Sequence, residues 1–556
     1  MSPPIEVIVT KTERVLPETP TPSERAVPLS LLDATTADFA LTQAIWLLER
    51  PQDVPPDFDL AHHLRQSLRT TLSAYPQWCG QCKAVSTLAG PTGAEARDFP
   101  PHARRFGRIY VHFGTGEDPG VEFVTATSPA TLDALYPANR TEVMPAWNRR
   151  EASLKAFSPP TAIHSTLQPN HPDENGLRKP LLAIQVTQLS CGGFVLAAKS
   201  AHPMADIAAL VHLMKDWGNV SRALLSGEPI PRLSPVFDPA QVDDCAQGDI
   251  NDDDYDEELV LASMCLPMSR FDWWAAGPVE GCPWPTSVPG IFRGQDLAPA
   301  RDSIPMPWKH WDVSAPVSSY IIHLTRSQVD HLFEAAVRNP PGADTRVKVK
   351  GASVSKHDAV LAHMWSCVVR ARQLSGRHET VYCNLVVGMR PVLGLGDDFI
   401  GSPVLMAAID MYAHQVAAYD GDEFALRDVA RRIRSVVRKL NDPSEIGCHL
   451  HALVFEKSPQ RIWQAFLGRK HILVTSWARA GLYEVDLGLG SAVRYADDVV
   501  PDMDGCISIK EAPPAGEGVV DEGKRAWTDY GVDVSVALRA EDMERLLKDA
   551  LLLPKV

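Results

Sequence analysis

The sequence predicts an α/β protein of two domains built on mixed sheets, and three observations predict it. Strand-like and helix-like stretches alternate in both halves of the chain, the pattern that layers helices on sheets. Between the halves lies a long stretch, residues 236–315, in which the alternation stops. The chain has 556 residues, far more than the roughly 150 typical of one domain, so more than one core is expected. Hydrophobic residues make up 45% and charged residues 22%, a balance able to fill such cores. The expected division is a flexible N-terminal arm over 1–26, a first domain over 27–235, a crossover over 236–315 and a second domain over 316–556.

Taken in order, residues 1–26 are rich in Pro, Thr and Glu, which predicts a loose arm. VPLSLLD, Val27 to Asp33, then leads into FALTQAIWLLE, which reads as a strand. In DLAHHLRQSLRTTLSAYP, Leu60, Leu64, Leu68 and Leu72 recur at every fourth position and predict a helix stopped near Pro76. RIYVHF and VEFVTA are short strands set off by Gly and Pro turns. LLAIQVTQL and FVLAAKSA flank Ser190 to Gly193, whose glycines suit a hairpin. Beyond them Ile207, Leu210, Val211, Met214 and Trp217 share one face of a helix. His202 therefore falls at a strand-to-helix junction, with Pro203 suited to the first helical position.

The crossover holds an acidic run, DDCAQGDINDDDYDEE, expected to be a solvated loop, and a stretch rich in Trp, Pro and Gly, SRFDWWAAGPVEGCPWPTSVPG. Its tryptophans are expected to order it in part. Alternation resumes with SSYIIHLTRSQVDHLFEAAV, a strand then a helix. SKHDAVLAHMWSCVVRAR and DEFALRDVARRIRSVVRKL read as helices, with VYCNLVVGMRP as a strand between them. HILVTSW and GVDVSVAL read as late strands before a closing helix from Glu541.

A formal charge of −15 opposes nucleic acid and anionic membranes as partners, because their phosphates would be repelled. No run approaches the roughly 18 apolar residues of a membrane span, and the N-terminus lacks the apolar core of a secretory signal. Ten scattered cysteines fit reduced thiols, so a cytoplasmic protein is expected. WCGQC, Trp78 to Cys82, follows a helix rather than opening one, so no helix N-terminus stabilises a thiolate there. No second Cys or His pair completes a zinc site, and no metal is expected. GVVDEGK, Gly518 to Lys524, has the glycine and lysine spacing of a phosphate loop. Arg525 stands where Ser or Thr is required, which leaves a surface turn.

Two further motifs carry chemistry. HPMAD places His202 and Asp206 four residues apart, and DLGLG places Asp486, Gly488 and Gly490 far downstream. Together they resemble the HxxxD and DFGWG motifs of the BAHD acyltransferases, in the order that family has them. Flanking stretches agree: TSWARAGLYEVDLG, VPLSLLD, LRTTLSAYP and SVALRAEDMERL. Ile207 stands where the family usually has Gly, and Leu487 and Leu489 where it has Phe and Trp. That looseness is similar to the fungal secondary-metabolite branch, the trichothecene and fumigaclavine acetyltransferases.

The resemblance implies two chloramphenicol-acetyltransferase-like domains with His202 in a tunnel between them. It implies acyl-CoA as co-substrate with no permanently bound cofactor, a small-molecule acceptor, and a monomer, since one chain holds both halves. An imidazole near pKa 6.5 is mostly neutral at cytosolic pH and can take a hydroxyl proton as the new bond forms. The resemblance also implies that Asp206 turns away to pair with an arginine, for which Arg390 is the candidate. Asp486 would be scaffold near the cofactor channel, with Gly488 and Gly490 allowing a tight turn. Thr475 and Ser476 are candidates to bind the cofactor and donate to the tetrahedral oxyanion, and Thr42 and Gln43 to line the acceptor pocket. Arg427, Arg431, Arg434 and Arg438 are candidates for coenzyme A phosphates, against the plainer reading of a solvated helix face. An amine acceptor, a carrier-protein donor and a catalytically silent binding protein stay open as alternatives.

Overall fold

The computed structural model describes residues 5–37, 40–149, 153–275, 286–295, 297, 300–338, 353–417, 425–499, 501–514 and 525–556. The phosphate-loop-like stretch Gly518 to Lys524 lies outside the described residues.

Two large mixed sheets organise the chain. In chain order their strands are β1 (Ile8–Val15), β2 (Leu41–Leu48), β3 (Val121–Ser128), β4 (Ala146–Asn148), β5 (Leu182–Leu189), β6 (Phe194–Ala201), β7 (Val317–Leu324), β8 (Thr380–Gly388), β9 (Val404–Tyr412), β10 (His471–Ser476), β11 (Val493–Asp497), β12 (Cys506–Glu511) and β13 (Val532–Arg539). The six-stranded sheet runs β1-β3-β5-β6-β2-β11, and the seven-stranded sheet β9-β8-β10-β12-β13-β7-β4. Each sheet therefore takes one strand from the other half of the chain. β11 pairs antiparallel with β2, Asp497 opposite Ile45, and β4 pairs antiparallel with β7, Trp147 opposite Ile321.

Strand alternation decides what each face meets. After the short helix α1 (Leu31–Thr35), Trp46 and Leu48 of β2 pack with Leu64, Leu68, Met214 and Trp217 of two covering helices, α2 (Leu60–Thr71) and α3 (Ile207–Ser226). Their neighbours Ile45 and Leu47 face the other way, into a cluster with Trp147, Ile321 and Tyr495 that joins the two sheets. On the far side of the seven-stranded sheet, α5 (Lys356–Ala371) is buried along almost its whole length. It packs between α4 (Arg326–Val337), α6 (Ala425–Lys439) and the closing helix Ala540–Leu547.

Three expectations are corrected. The N-terminal arm is not loose: β1 pairs antiparallel with β3 over Ile8 to Val15. Its side chains are mostly exposed and polar, so it is held by ladder hydrogen bonds rather than by an apolar face. Pro203 does not open the long helix. It sits in a 3-10 turn, His202–Met204, and Asp206 is the N-cap of α3. The acidic run is not simply solvated, because the Asp243 carboxylate is buried and accepts the Leu31 amide at 2.8 Å. Asp256 in the same run caps helix Glu257–Met264. In WCGQC, Cys79 and Cys82 are buried, and burial pushes both thiols up, Cys82 to about 12. No described helix is long and apolar enough to cross a membrane.

Candidate active site

β6 ends at Ala201, and the 3-10 turn that follows projects the half-buried His202 from the end of the six-stranded sheet. Three neighbours fix this turn. Thr42 Oγ1 donates to the Ala205 carbonyl at 2.6 Å. The Asp206 amide donates to Gly401 O at 3.1 Å, and Asp206 Oδ1 accepts the Ala209 amide at 3.0 Å. Arg390, at the end of β8, grips Asp206 with two guanidinium nitrogens, Nη2 reaching Oδ1 at 2.9 Å. Nη2 also donates to Phe399 O at 3.1 Å and Gly401 O at 3.2 Å. Asp206 is thus turned to Arg390, and the pair ties the two halves together at the foot of α3.

The imidazole has its own tie. His202 Nδ1 lies 2.9 Å from Ser402 Oγ. The Ser402 amide in turn donates to Asp33 Oδ1 at 2.5 Å, and Asp33 Oδ2 accepts Ser30 N at 3.0 Å and Ser30 Oγ at 2.7 Å. Asp33 is fully buried, and burial raises its pKa to about 7 against the pull of those hydrogen bonds. Burial lowers the His202 pKa, with the Asp206 charge opposing. The histidine is therefore held neutral, with one nitrogen anchored.

His202 lies on the wall of a cavity of about 740 Å³. Asp206, Arg390, Thr42, Gln43, Thr475 and Ser476 line the same cavity, so residues from both halves meet there. The Thr42 hydroxyl is committed to the Ala205 carbonyl, which makes it a support of the turn as well as a wall residue. Gln43 accepts from Ser158 Oγ at 3.0 Å, which leaves its amide nitrogen as a donor.

A second wall group adds residues not read from the sequence, His357, Ser355 and Asp358 at the start of α5 and Arg479, to the candidate Arg434. Arg434 Nε donates to Asp358 Oδ2 at 2.7 Å and Nη2 to Ser355 Oγ at 2.8 Å. Burial holds His357 down at about 4, and Arg434 and Arg479 push the same way against Asp358. Of the four arginines proposed for phosphates, Arg434 lines the cavity. Arg427 is buried, so the face is not wholly solvated, while Arg431 and Arg438 are exposed. Signals for the missed residues did exist. Ser30 and Asp33 stand at the spacing of a capping box, and Arg479 follows the TSW stretch.

The second motif lies elsewhere. Asp486 pairs with Arg222 of α3 at 2.9 Å, with side chains 60% and 48% exposed, and its Oδ1 accepts the Gly488 amide at 2.8 Å. Gly488 and Gly490 have φ of +72° and +63°. A Cβ at Gly488 would stand 2.8 Å from the Arg222 Cα, so the turn needs glycine there for space as well as for its dihedral. Asp486, Gly488 and Gly490 do not line this cavity. The motif packs against α3, whose N-terminal end follows the His202 turn.

Comparison with known proteins accords with this geometry. A family model described as the Transferase family matches residues 5–89, 115–251 and 323–552. Acyltransferase AFT15-1 of Alternaria alternata is 24% identical, over 99% of this chain and 97% of its own length. Acyltransferase abl6 of Leptosphaeria maculans is 23% identical, over 99% and 98%. Among solved structures, F. graminearum TRI101 complexed with coenzyme A and deoxynivalenol superposes with a TM-score of 0.61 at 16% identity, covering 95% of this chain and 98% of that one. Vinorine synthase superposes at 0.56 with 18% identity, covering 98% of each. The fold is accordingly two chloramphenicol-acetyltransferase-like domains. With well over half of its length matched by the family model, the chain belongs to the Transferase family, the BAHD acyltransferases, and is an enzyme of acyl transfer.

Proposed function

We propose that this enzyme moves an acyl group, most simply acetyl, from acyl-CoA to a hydroxyl of a specialised metabolite, with His202 as general base. The observation that carries the reading is a neutral imidazole on the wall of a cavity shared by both halves, its Nδ1 held by Ser402. In this reading Nδ1–H donates to Ser402 Oγ, which leaves the Nε2 lone pair for the acceptor. The acceptor O–H proton passes to Nε2 as the oxygen bonds the thioester carbonyl carbon. The carbonyl oxygen takes the negative charge, and Thr475 and Ser476, which both line the cavity, are the candidates to donate to it. The C–S bond then breaks, the carbonyl re-forms, and the imidazolium returns its proton to the departing thiolate. The products are an ester and free CoA, with no covalent enzyme intermediate.

Arg434 and Arg479 beside the start of α5 bring positive charge to the wall, apart from Arg390, which is held by Asp206, and suit the coenzyme's phosphates. A solved relative of the same fold is complexed with coenzyme A, which supports the donor class. One chain supplies both sides of the cavity, consistent with a monomer. A second reading, an amine acceptor, is favoured by the likeness to agmatine hydroxycinnamoyltransferase 1 of Oryza sativa, 22% identical over 79% of this chain.

Thiol release from acetyl-CoA, measured across a panel of hydroxylated terpenoids, alkaloids and polyketides and their amine analogues, tests the proposal. Release with hydroxyl acceptors is expected, and release with the amines alone would replace ester by amide formation. Burial lowers the folded-state pKa of His202, so activity persists below pH 6.5 and is lost as pH falls through that lowered value. An acid limb above pH 6.5 would exclude His202 as the titrating base.

A further inference from the structure

The acyl-transfer chemistry leaves the crossover tryptophans without a role, yet they back the cavity wall. Phe271–Asp272 of the crossover forms a short antiparallel ladder with Ile462–Trp463, Phe271 opposite Trp463. The ladder is bolted from both sides. Arg461 Nη2 donates to Asp272 Oδ2 at 2.7 Å, and the Trp273 amide donates to Arg461 O at 2.8 Å. The Ala300 amide reaches Asp272 Oδ2 at 3.0 Å. Asp272 and Arg461 are both buried, so this stretch of crossover is a fixed part of the core.

Trp463 is the ring this arrangement presents to the cavity. Trp273 meets it edge to face, centroids 5.8 Å apart at 75°. Trp308 meets Trp273 at 5.1 Å and 82°, and Trp311 stacks on Trp308 at 5.9 Å. Phe466 closes the layer against Trp308 at 6.5 Å and Trp311 at 6.4 Å. Next to Trp463, the Gln464 side chain accepts the Met406 amide at 2.9 Å. Met406 is four residues along from Ser402, the residue that holds His202. Four residues of extended chain span at most about 14 Å, so Met406 stands within that distance of Ser402, and both Trp463 and His202 line the one cavity.

We propose that this aromatic layer, presented through Trp463, seats an apolar body of the substrate and sets the largest one the enzyme accepts. The proposal rests on the acyl-transfer reading above. Its chemistry is that of a rigid ring face with backing. An indole buries a large apolar area against a flat or chain-like hydrocarbon, and rings packed behind it keep the wall from yielding. The same chemistry suits the acyl chain or the acceptor skeleton, and the two are separable.

In one arm, thiol release is measured with acetyl-, butanoyl- and octanoyl-CoA against 1-butanol. In the other, acetyl-CoA is fixed and the acceptors are 1-butanol, borneol and testosterone. Trp463→Ala is expected to raise the kcat/KM ratio of the largest over the smallest substrate at least tenfold in one arm, and that arm identifies the body. Trp273→Ala, which removes backing without touching the cavity, is expected to shift the same ratio the same way. Trp273→Phe is expected to restore it. A merely structural role would lower kcat/KM for all substrates alike. If Trp463→Ala is insoluble, Trp463→Leu gives the same readout. Ratios within twofold of the parent in both arms, in an enzyme that does release thiol, overturn this inference and leave acyl transfer standing. No thiol release with any substrate and no CoA binding by calorimetry would overturn both.

Discussion

The HPMAD and DLGLG stretches are equally visible as motifs, and the structure gives them opposite settings. His202 and Asp206 stand at the seam of the two halves, on the cavity wall, tied across to residues 390–402 of the other half. Asp486 to Gly490 pack along α3 with the Asp486 side chain exposed and Leu487 and Leu489 buried, and none of the five lines the cavity. The first motif is built from polar ties, an imidazole held by Ser402 and a carboxylate held by Arg390. The second is built from shape, two positive dihedrals and a backbone laid close on a helix. Gly218 of α3 shows how close: a Cβ there would fall 2.2 Å from the Asp486 carbonyl oxygen.

Substitutions should divide the same way. His202→Ala is expected to lower kcat about 10²–10⁴-fold with little change in melting temperature or CoA affinity, since the proposed base is lost together with a single hydrogen bond to Ser402. Steady-state kinetics beside a thermal melt would check this, and an unchanged kcat would dissolve the contrast. Arg390→Ala leaves the Asp206 carboxylate buried without its partner. A loss of about 3–5 kcal/mol is expected in urea unfolding, with activity falling as the turn loosens. Gly488→Ala must force a side chain into a left-handed position against Arg222, at a cost of about 2 kcal/mol by the same measurement. Asp486→Ala removes an ion pair that is mostly in solvent, and at most about 1 kcal/mol is expected, with kcat within about twofold of the parent. A larger loss from Asp486 than from Gly488 would reverse the reading of that motif.

How much of this was legible in the sequence depended on how local the signal was. α2 announced itself through four leucines at one spacing, and α5 through an apolar run with a Ser–Asp cap. The hairpin of β5 and β6 was marked by its glycines, with Gly192 at a φ of +86°. β1 was hidden because its residues alternate Thr, Lys, Glu and Arg on an edge where the backbone, not the side chains, does the binding. At the site, His202 and Asp206 were readable together because they sit on one turn. Ser402 and Asp33 were not, being 200 and 169 residues from His202 and brought to it only by tertiary packing. His357 read as one helix residue among others until α5 was placed against the cavity.

The exchanged strands carry a mechanical consequence. β11 is stitched to β2 in one sheet and β4 to β7 in the other, so the lobes are cross-laced at two places besides the linking segment. A clam-like gape would have to tear a ladder from one sheet or the other. Cutting the linker would likewise yield two fragments, each missing an edge of its own sheet.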